Sequence, residues 1–313
     1  MSKNTDCSTV TNSRKATGEP VSIIAADGHP LVGRLYQPIG PPKAVLLGLP
    51  GIGVPQRVFR HVGPWLAERG VTLVTVDYRG IGDSCTPEGV ASASLSTWAL
   101  ADAVGAQRYV RRRYGASPVL LAHSFGGQML GMADELHDAQ GAILVGSQLA
   151  HRHHWDGLGR LKIEFFWRAL LPSTARLFDP VPKWVLGEAL PAGVAREWRR
   201  WALSPDWLLS HVDGAAARYA RFDRAIRAYG ISDDDIAPPR AVGDLLSRFR
   251  GADVTRVDVT PDALGRDHIG HLGLFRPDST EMIWEEWLRF ATTYFQETKS
   301  THELERKKTW NAA

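Results

Sequence analysis

Four apolar runs, 44–49, 71–77, 119–123 and 142–145, pass with little or no alternation of apolar and polar residues. A strand with one wet face alternates, so near-continuous runs this short belong to strands buried on both faces of a parallel sheet. Helix-length amphipathic segments separate them, which predicts an α/β fold. The helices are expected at 58–69, closed by Gly70, at 97–114, and from Phe125 to about 137.

Upstream, segments 21–26 and 31–37 flank an Asp27-Gly28 turn signal and read as a hairpin opening the sheet. Downstream, strands are expected at 225–231 and 255–259, with helices at 240–250 and 280–293. Between strand 142–145 and strand 225–231 the pattern changes. Residues 151–222 carry six of the eleven tryptophans and no convincing strand, so they read as a helical insertion. The expected organisation is a mobile tail over 1–20, a core of 21–150 and 223–296, the insertion at 151–222, and a charged tail over 297–313.

Composition excludes several functions. The 313 residues carry a formal charge of +3, with basic residues scattered, so nucleic acid is not an expected partner. No run of some eighteen apolar residues exists to cross a membrane, and the first residues hold no apolar signal core. Two cysteines without metal-ligand spacing fit a reducing, cytoplasmic location. Four polar residues, His151, Arg152, His153 and His154, open the insertion. Their tandem spacing suits neither one helical face nor known zinc ligand pairs, so neither metal nor cofactor is expected.

The chemistry centres on Ala122-His123-Ser124-Phe125-Gly126, set between a predicted strand and a predicted helix. That is the context of a nucleophile elbow, where a serine hydroxyl projects above the sheet and small flanking residues let strand and helix approach. A helix N-cap would also place a serine there. A serine hydroxyl needs a base, and the base needs a group that fixes its tautomer. Two downstream loops supply candidates. Asp233-Asp234-Asp235 follows strand 225–231, and His268-Ile269-Gly270-His271 follows strand 255–259, both at carboxyl ends of strands, where α/β sheets assemble sites. His271 lies in a glycine-flanked apolar loop, whereas His268 follows charged residues and is expected to be exposed. Backbone donors for an oxyanion are expected from Phe125 and from the loop Pro50-Gly51-Ile52-Gly53, at Ile52.

With these residues in view, positions 21–295 resemble the α/β-hydrolase superfamily, and within it bacterial hydrolases related to serine aminopeptidases and monoacylglycerol-lipase-like esterases. The turn Asp77-Tyr78-Arg79-Gly80-Ile81-Gly82-Asp83-Ser84 is similar to the family's D-x-R-G-x-G-x-S, with Trp98 and Asp102 beyond it. Leu190-Pro191, Val194, Trp198 and Trp201 resemble a motif of the nearest subgroup's cap, and Gly270 to Phe275 resembles its histidine loop. Ala122 replaces the first elbow glycine, Pro50 stands where many relatives have histidine, and Leu274 where an aromatic often stands.

The resemblance implies a mostly parallel eight-stranded sheet flanked by helices, with a helical cap inserted after the sixth strand. It implies a triad of Ser124, an acid and His271; the spacing of Asp234 to Pro238 resembles the family's D-x-x-x-P turn and favours Asp234, with Asp233 and Asp235 as alternatives. The expected activity is hydrolysis of an ester or related acyl bond of a small hydrophobic substrate. Acyl transfer, peptide or carbon–carbon bond hydrolysis, and noncatalytic small-molecule binding would use the same scaffold. A serine at position 124 disfavours dehalogenase and epoxide hydrolase chemistry, which needs a carboxylate there. Substrate identity and oligomeric state are not written in the sequence.

Overall fold

The computed structural model describes residues 18–186, 188–277 and 281–310, with side chains beyond 295 left aside. Eight strands form one sheet: β1 Glu19–Ile24, β2 Pro30–Tyr36, β3 Ala44–Leu49, β4 Val71–Val76, β5 Val119–His123, β6 Gly141–Val145, β7 Ile226–Ile231 and β8 Val254–Val259. Their order is β1-β2-β4-β3-β5-β6-β7-β8. β2 runs antiparallel to both its neighbours, and every other pairing from β4 to β8 is parallel.

Strands β3 to β6 are buried at every residue, as their near-continuous apolar sequences require. The edge strand β8 instead exposes Thr255, Arg256 and Asp258, and charged side chains at an open edge discourage pairing with another chain. From β3 the chain crosses to β4 on one side, then returns to β5 on the other. Loops leaving β3 and β5 therefore diverge at their carboxyl ends, opening a crevice where open α/β sheets place ligands.

The helices used below are α1 Val62–Glu68, α2 Val104–Tyr114, α3 Phe125–Gln128, α4 Gly157–Phe165, α5 Leu171–Leu177, α6 Ala192–Ala202, α7 Ala215–Arg221, α8 Pro239–Arg248 and α9 Glu281–Trp310. Helix α9 packs on β3, β5 and β6 beside α1, where Trp65 and Trp284 meet edge to face, 5.7 Å between ring centroids. Helix α2 packs on β1, β3 and β4.

Several expected boundaries move. β1 begins at Glu19, inside the segment expected to be a tail, and residues 1–17 lie outside the described residues. The expected helix 58–69 is a 3-10 turn, Gln56–Arg60, followed by α1. Pro64 has no N–H to give to the carbonyl four residues back, so it is tolerated in the first turn of α1 but not in the interior of a helix begun at 58. The expected helix from Phe125 to about 137 stops at Gln128, with 3-10 turns at Met129–Gly131 and Asp134–Asp138. Its cause is tertiary: Tyr219 Oη donates to the Gln128 carbonyl at 2.7 Å, and the Met132 N–H turns to Met129 instead. At the other end, α9 runs to Trp310, through the segment expected to be a charged tail. That segment contains Glu, Lys, Leu and Arg and no glycine or proline, a composition with high helix propensity.

Among the described residues between β6 and β7 the regular elements are helices and 3-10 turns, beside an isolated bridge joining Val181 to Leu190. Tryptophans fasten this segment to the core. Trp207 Nε1 donates to Gln128 Oε1 at 3.1 Å, Trp155 Nε1 donates to the Asp235 carbonyl at 2.8 Å, and buried Trp201 lies 6.2 Å from the Phe125 ring. Trp184, by contrast, is exposed.

Candidate active site

Ser124 leaves β5 with φ 52° and ψ −114°, a positive φ that side-chain-bearing residues rarely adopt. Such a conformation costs about 1–3 kcal/mol and persists only where the surroundings enforce it. Here the Ser124 N–H donates to the Val145 carbonyl at 2.9 Å, extending the β5–β6 ladder into the turn. Gly126 supplies the other condition. A methyl group there would lie 2.3 Å from the Leu49 carbonyl oxygen, so any larger residue would push α3 off β3.

The β5–β6 register pairs His123 with Val145, which brings Gly146 beside Ser124. A methyl group on Gly146 would lie 3.2 Å from His271 Cε1 and 3.4 Å from Asp234 Oδ2. Glycine at this position is thus what lets the imidazole and the carboxylate settle against the strand end. His271 Nδ1 and Asp234 Oδ2 are 2.6 Å apart, and the two side chains are 11% and 0% exposed.

The three aspartates of the run divide cleanly. Asp234 spends Oδ1 on the N–H groups of Ile236 and Ala237, at 2.8 and 3.0 Å, and presents Oδ2 to His271. Asp233 turns the other way and accepts from the N–H groups of Ile269 and Gly270 at 2.9 and 3.1 Å, with His268 Nδ1 at 2.6 Å. It therefore clamps the loop that carries His271. Burial alone would raise its carboxyl, but these donors bring it below the ordinary aspartate range. Asp235 is exposed, and its backbone carbonyl accepts from Trp155 Nε1. His268, 71% exposed, lies at the surface as expected.

Sequence reasoning singled out no role for His123, which is buried beneath His271 with the two rings 4.5 Å apart. Burial, with the adjacent His271 ring, holds the His123 imidazole well below its usual range, so it is neutral. Its Nε2–H then donates to the His271 carbonyl at 3.0 Å, fixing the backbone under the second imidazole. The available signal was a polar residue ending an otherwise apolar strand.

The loop after β3 closes the crevice. Val54 N–H donates to the Gly51 carbonyl at 3.2 Å, making a tight turn, and Tyr78 Oη donates to the Pro50 carbonyl at 3.1 Å. A methyl group on Gly51 would come within 2.9 Å of Ser124 Cβ, so this loop lies directly against the serine. Ile52 is half-buried in it. Phe125 is the first residue of α3, and its N–H has no intrahelical acceptor.

The sequence profile of the alpha/beta hydrolase family matches residues 45–281, which spans β3 to the start of α9 and includes Ser124, Asp234 and His271. The chain belongs to the alpha/beta hydrolase family. Solved structures agree on the fold. An esterase domain from a Rhodothermus marinus protein is 16% identical with a TM-score of 0.57, the match covering 88% of this chain and 98% of that one. The monoacylglycerol lipase of Paleococcus ferrophilus is 14% identical with a TM-score of 0.56, covering 84% and 99%. A lipase in an open form is 15% identical with a TM-score of 0.61, covering 88% and 99%. No curated protein matches in sequence.

Elsewhere in this alpha/beta hydrolase, the Asp77 to Ser84 turn is structural. Asp77 accepts from the N–H groups of Gln56 and Asp83 at 2.6 and 2.8 Å, tying the β3 loop region to the β4 turn. Arg79 sits against Asp102, and Trp98 Nε1 donates to the Arg79 carbonyl at 3.0 Å. Pro191, from the segment between β6 and β7, packs here too: a methyl group on Gly80 would lie 2.7 Å from its ring. Among the described residues, no helix is long and apolar enough to cross a membrane.

Proposed function

We propose that the protein is a serine hydrolase that cleaves an ester or related acyl bond of a small hydrophobic substrate through an acyl-enzyme. Ser124 is the nucleophile, His271 the base and Asp234 the acid, with the N–H groups of Phe125 and Ile52 facing the oxyanion. One observation carries the reading: the 2.6 Å His271–Asp234 pair rests against Gly146, the residue after Val145, whose carbonyl accepts from the N–H of a serine held at positive φ.

In the first half-reaction the Ser124 hydroxyl adds to the acyl carbon, and His271 takes its proton at Nε2 while Nδ1–H stays on Asp234. His271 then gives that proton to the departing alcohol. Water repeats the sequence on the acyl-enzyme, losing a proton to His271, and Ser124 leaves with it. Asp234 holds the tautomer and stabilises the imidazolium. Its two backbone donors, the N–H groups of Ile236 and Ala237, fix the carboxyl so that Oδ2 faces the imidazole.

Residues 151–222 act as a cap in this reading, and its buried aromatic side chains near Phe125 favour an apolar acyl or aromatic group. The esterase and lipase names of the structural neighbours support the same reaction class. Cys85, free and exposed, suits a cytoplasmic location. A panel of acetyl, octanoyl and aromatic esters, assayed with the wild type and Ser124→Ala, tests the proposal. Turnover that favours the larger apolar esters and vanishes in the variant is expected. Turnover retained in Ser124→Ala contradicts the mechanism, equal rates on all esters contradict the apolar preference, and ester products with added alcohol would reveal acyl transfer.

A further inference from the structure

Outside the serine site, three histidines and two aspartates gather where the chain leaves the core after β6. His151 precedes the 3-10 turn Arg152–His154, Asp244 lies on α8, and Asp206 precedes the turn Trp207–Ser210. His153, His154 and Asp244 each place one ligand atom within 4.8 Å of the others. His154 Nε2 is 3.2 Å from Asp244 Oδ2, and His151 Nε2, on a side chain only 4% exposed, is 3.5 Å from the same oxygen. His151 Nε2 also lies 3.7 Å from Asp206 Oδ1.

Asp244 is held for this arrangement. Its Oδ1 accepts from Arg248 Nε and Nη2 at 3.2 and 3.0 Å, which leaves Oδ2 turned toward the histidines. A ligating carboxylate is ordinarily anchored through its second oxygen in just such a way. The Arg248 charge weakens a cation's hold, and Asp206, 3.6 Å from Nη2, offsets part of it.

We propose that His153, His154 and Asp244 bind a divalent transition-metal ion of the zinc class, with His151 flanking the site. Nitrogen and oxygen ligands about 2.0–2.2 Å from a tetrahedral zinc stand about 3.3 Å from one another. The 3.2 Å His154–Asp244 hydrogen bond already has that length, and an ion would take the place of its proton. Two imidazoles with one carboxylate select zinc, nickel or copper over magnesium or calcium, which prefer oxygen ligands. Judged alone, the tandem histidines lack a metal-binding spacing; the third ligand comes from a helix 90 residues further along the sequence. The ion would tie the first turn of the cap to α8, the helix that follows the Asp234 loop. The site stands whether or not Ser124 is catalytic.

The test is calorimetric titration of the chelator-treated full chain with zinc chloride, beside the visible spectrum of the cobalt(II) form. One ion per chain is expected, with tetrahedral cobalt bands. The exposed His153→Ala, which leaves the core untouched, should weaken zinc at least ~10-fold, the scale lost when even an outer partner of a ligand is removed. Asp244→Asn, its fold checked by circular dichroism, should do the same, while His268→Ala, at the His268–Asp233 contact, should not. Absence of zinc binding by the wild type, or binding unchanged in His153→Ala, overturns the proposal.

Discussion

Two buried carboxylates, Asp102 and Asp234, have side chains that are each 0% exposed, yet they are paired to opposite ends. Asp102 accepts from Arg79 three times, from the backbone N–H at 2.8 Å, from Nε at 2.8 Å and from Nη2 at 2.6 Å. Its partner never loses its charge, and burial only deepens the mutual dependence. Asp234 instead faces the imidazole of His271, at Nδ1. Arg79 is also pinned from outside by Asp27 at 2.7 Å. His271 keeps a second ring nitrogen, the one the proposed mechanism uses. The same burial of a carboxylate thus builds a permanent strut in one place and, in the proposed mechanism, a proton-handling pair in another, and the difference lies wholly in the partner.

Substitutions should separate the two. Asp234→Asn keeps the backbone hydrogen bonds but admits the wrong imidazole tautomer, so kcat should fall about 10⁴-fold while folding changes little. Steady-state kinetics and urea unfolding of the same preparation measure both. Asp102→Asn should do the reverse, costing about 3–5 kcal/mol of stability by stranding a buried guanidinium, with the folded fraction still reactive at Ser124. If Asp102→Asn abolished turnover without loss of stability, the strut reading would be wrong.

Asp233 falls between the two. Asp233→Asn should cost about 1–3 kcal/mol, because two backbone N–H groups lose a charged acceptor, and should lower kcat only modestly through the His271 loop. Its carboxyl is depressed in the folded chain, so the stability it adds is present above the ordinary aspartate value of 3.8 and is lost as pH falls through the lower folded value. Unfolding midpoints of wild type and Asp233→Asn should therefore differ by a constant amount near neutrality and converge in acid. Asp235→Ala, exposed and acting only through its backbone, should change stability by less than about 0.5 kcal/mol and leave turnover within twofold.

Much of this was legible in the sequence, for reasons tied to particular residues. Buried parallel strands declare themselves by composition, so β3 to β6 were located to within a residue or two. Local breaks were less legible. The stop at Gln128 depends on Tyr219, some ninety residues away, and no local window contains it. Ser124 and the two downstream loops were readable because chain order constrains them. The division of labour within Asp233-Asp234-Asp235 depends on which way each side chain turns, and only the loop geometry distinguishes a clamp from a partner for His271. His123 and Gly146 were missed because each matters through what presses against it, not through its own chemistry.

The central claim is that Ser124 is activated by His271. Labelling of the purified chain with a fluorophosphonate, read by intact mass and peptide mapping, tests it most directly. The account predicts one label per chain on Ser124, none in Ser124→Ala, and a much slower reaction in His271→Ala. A well-folded wild type that takes no label, or label at another residue that persists in Ser124→Ala, would contradict it.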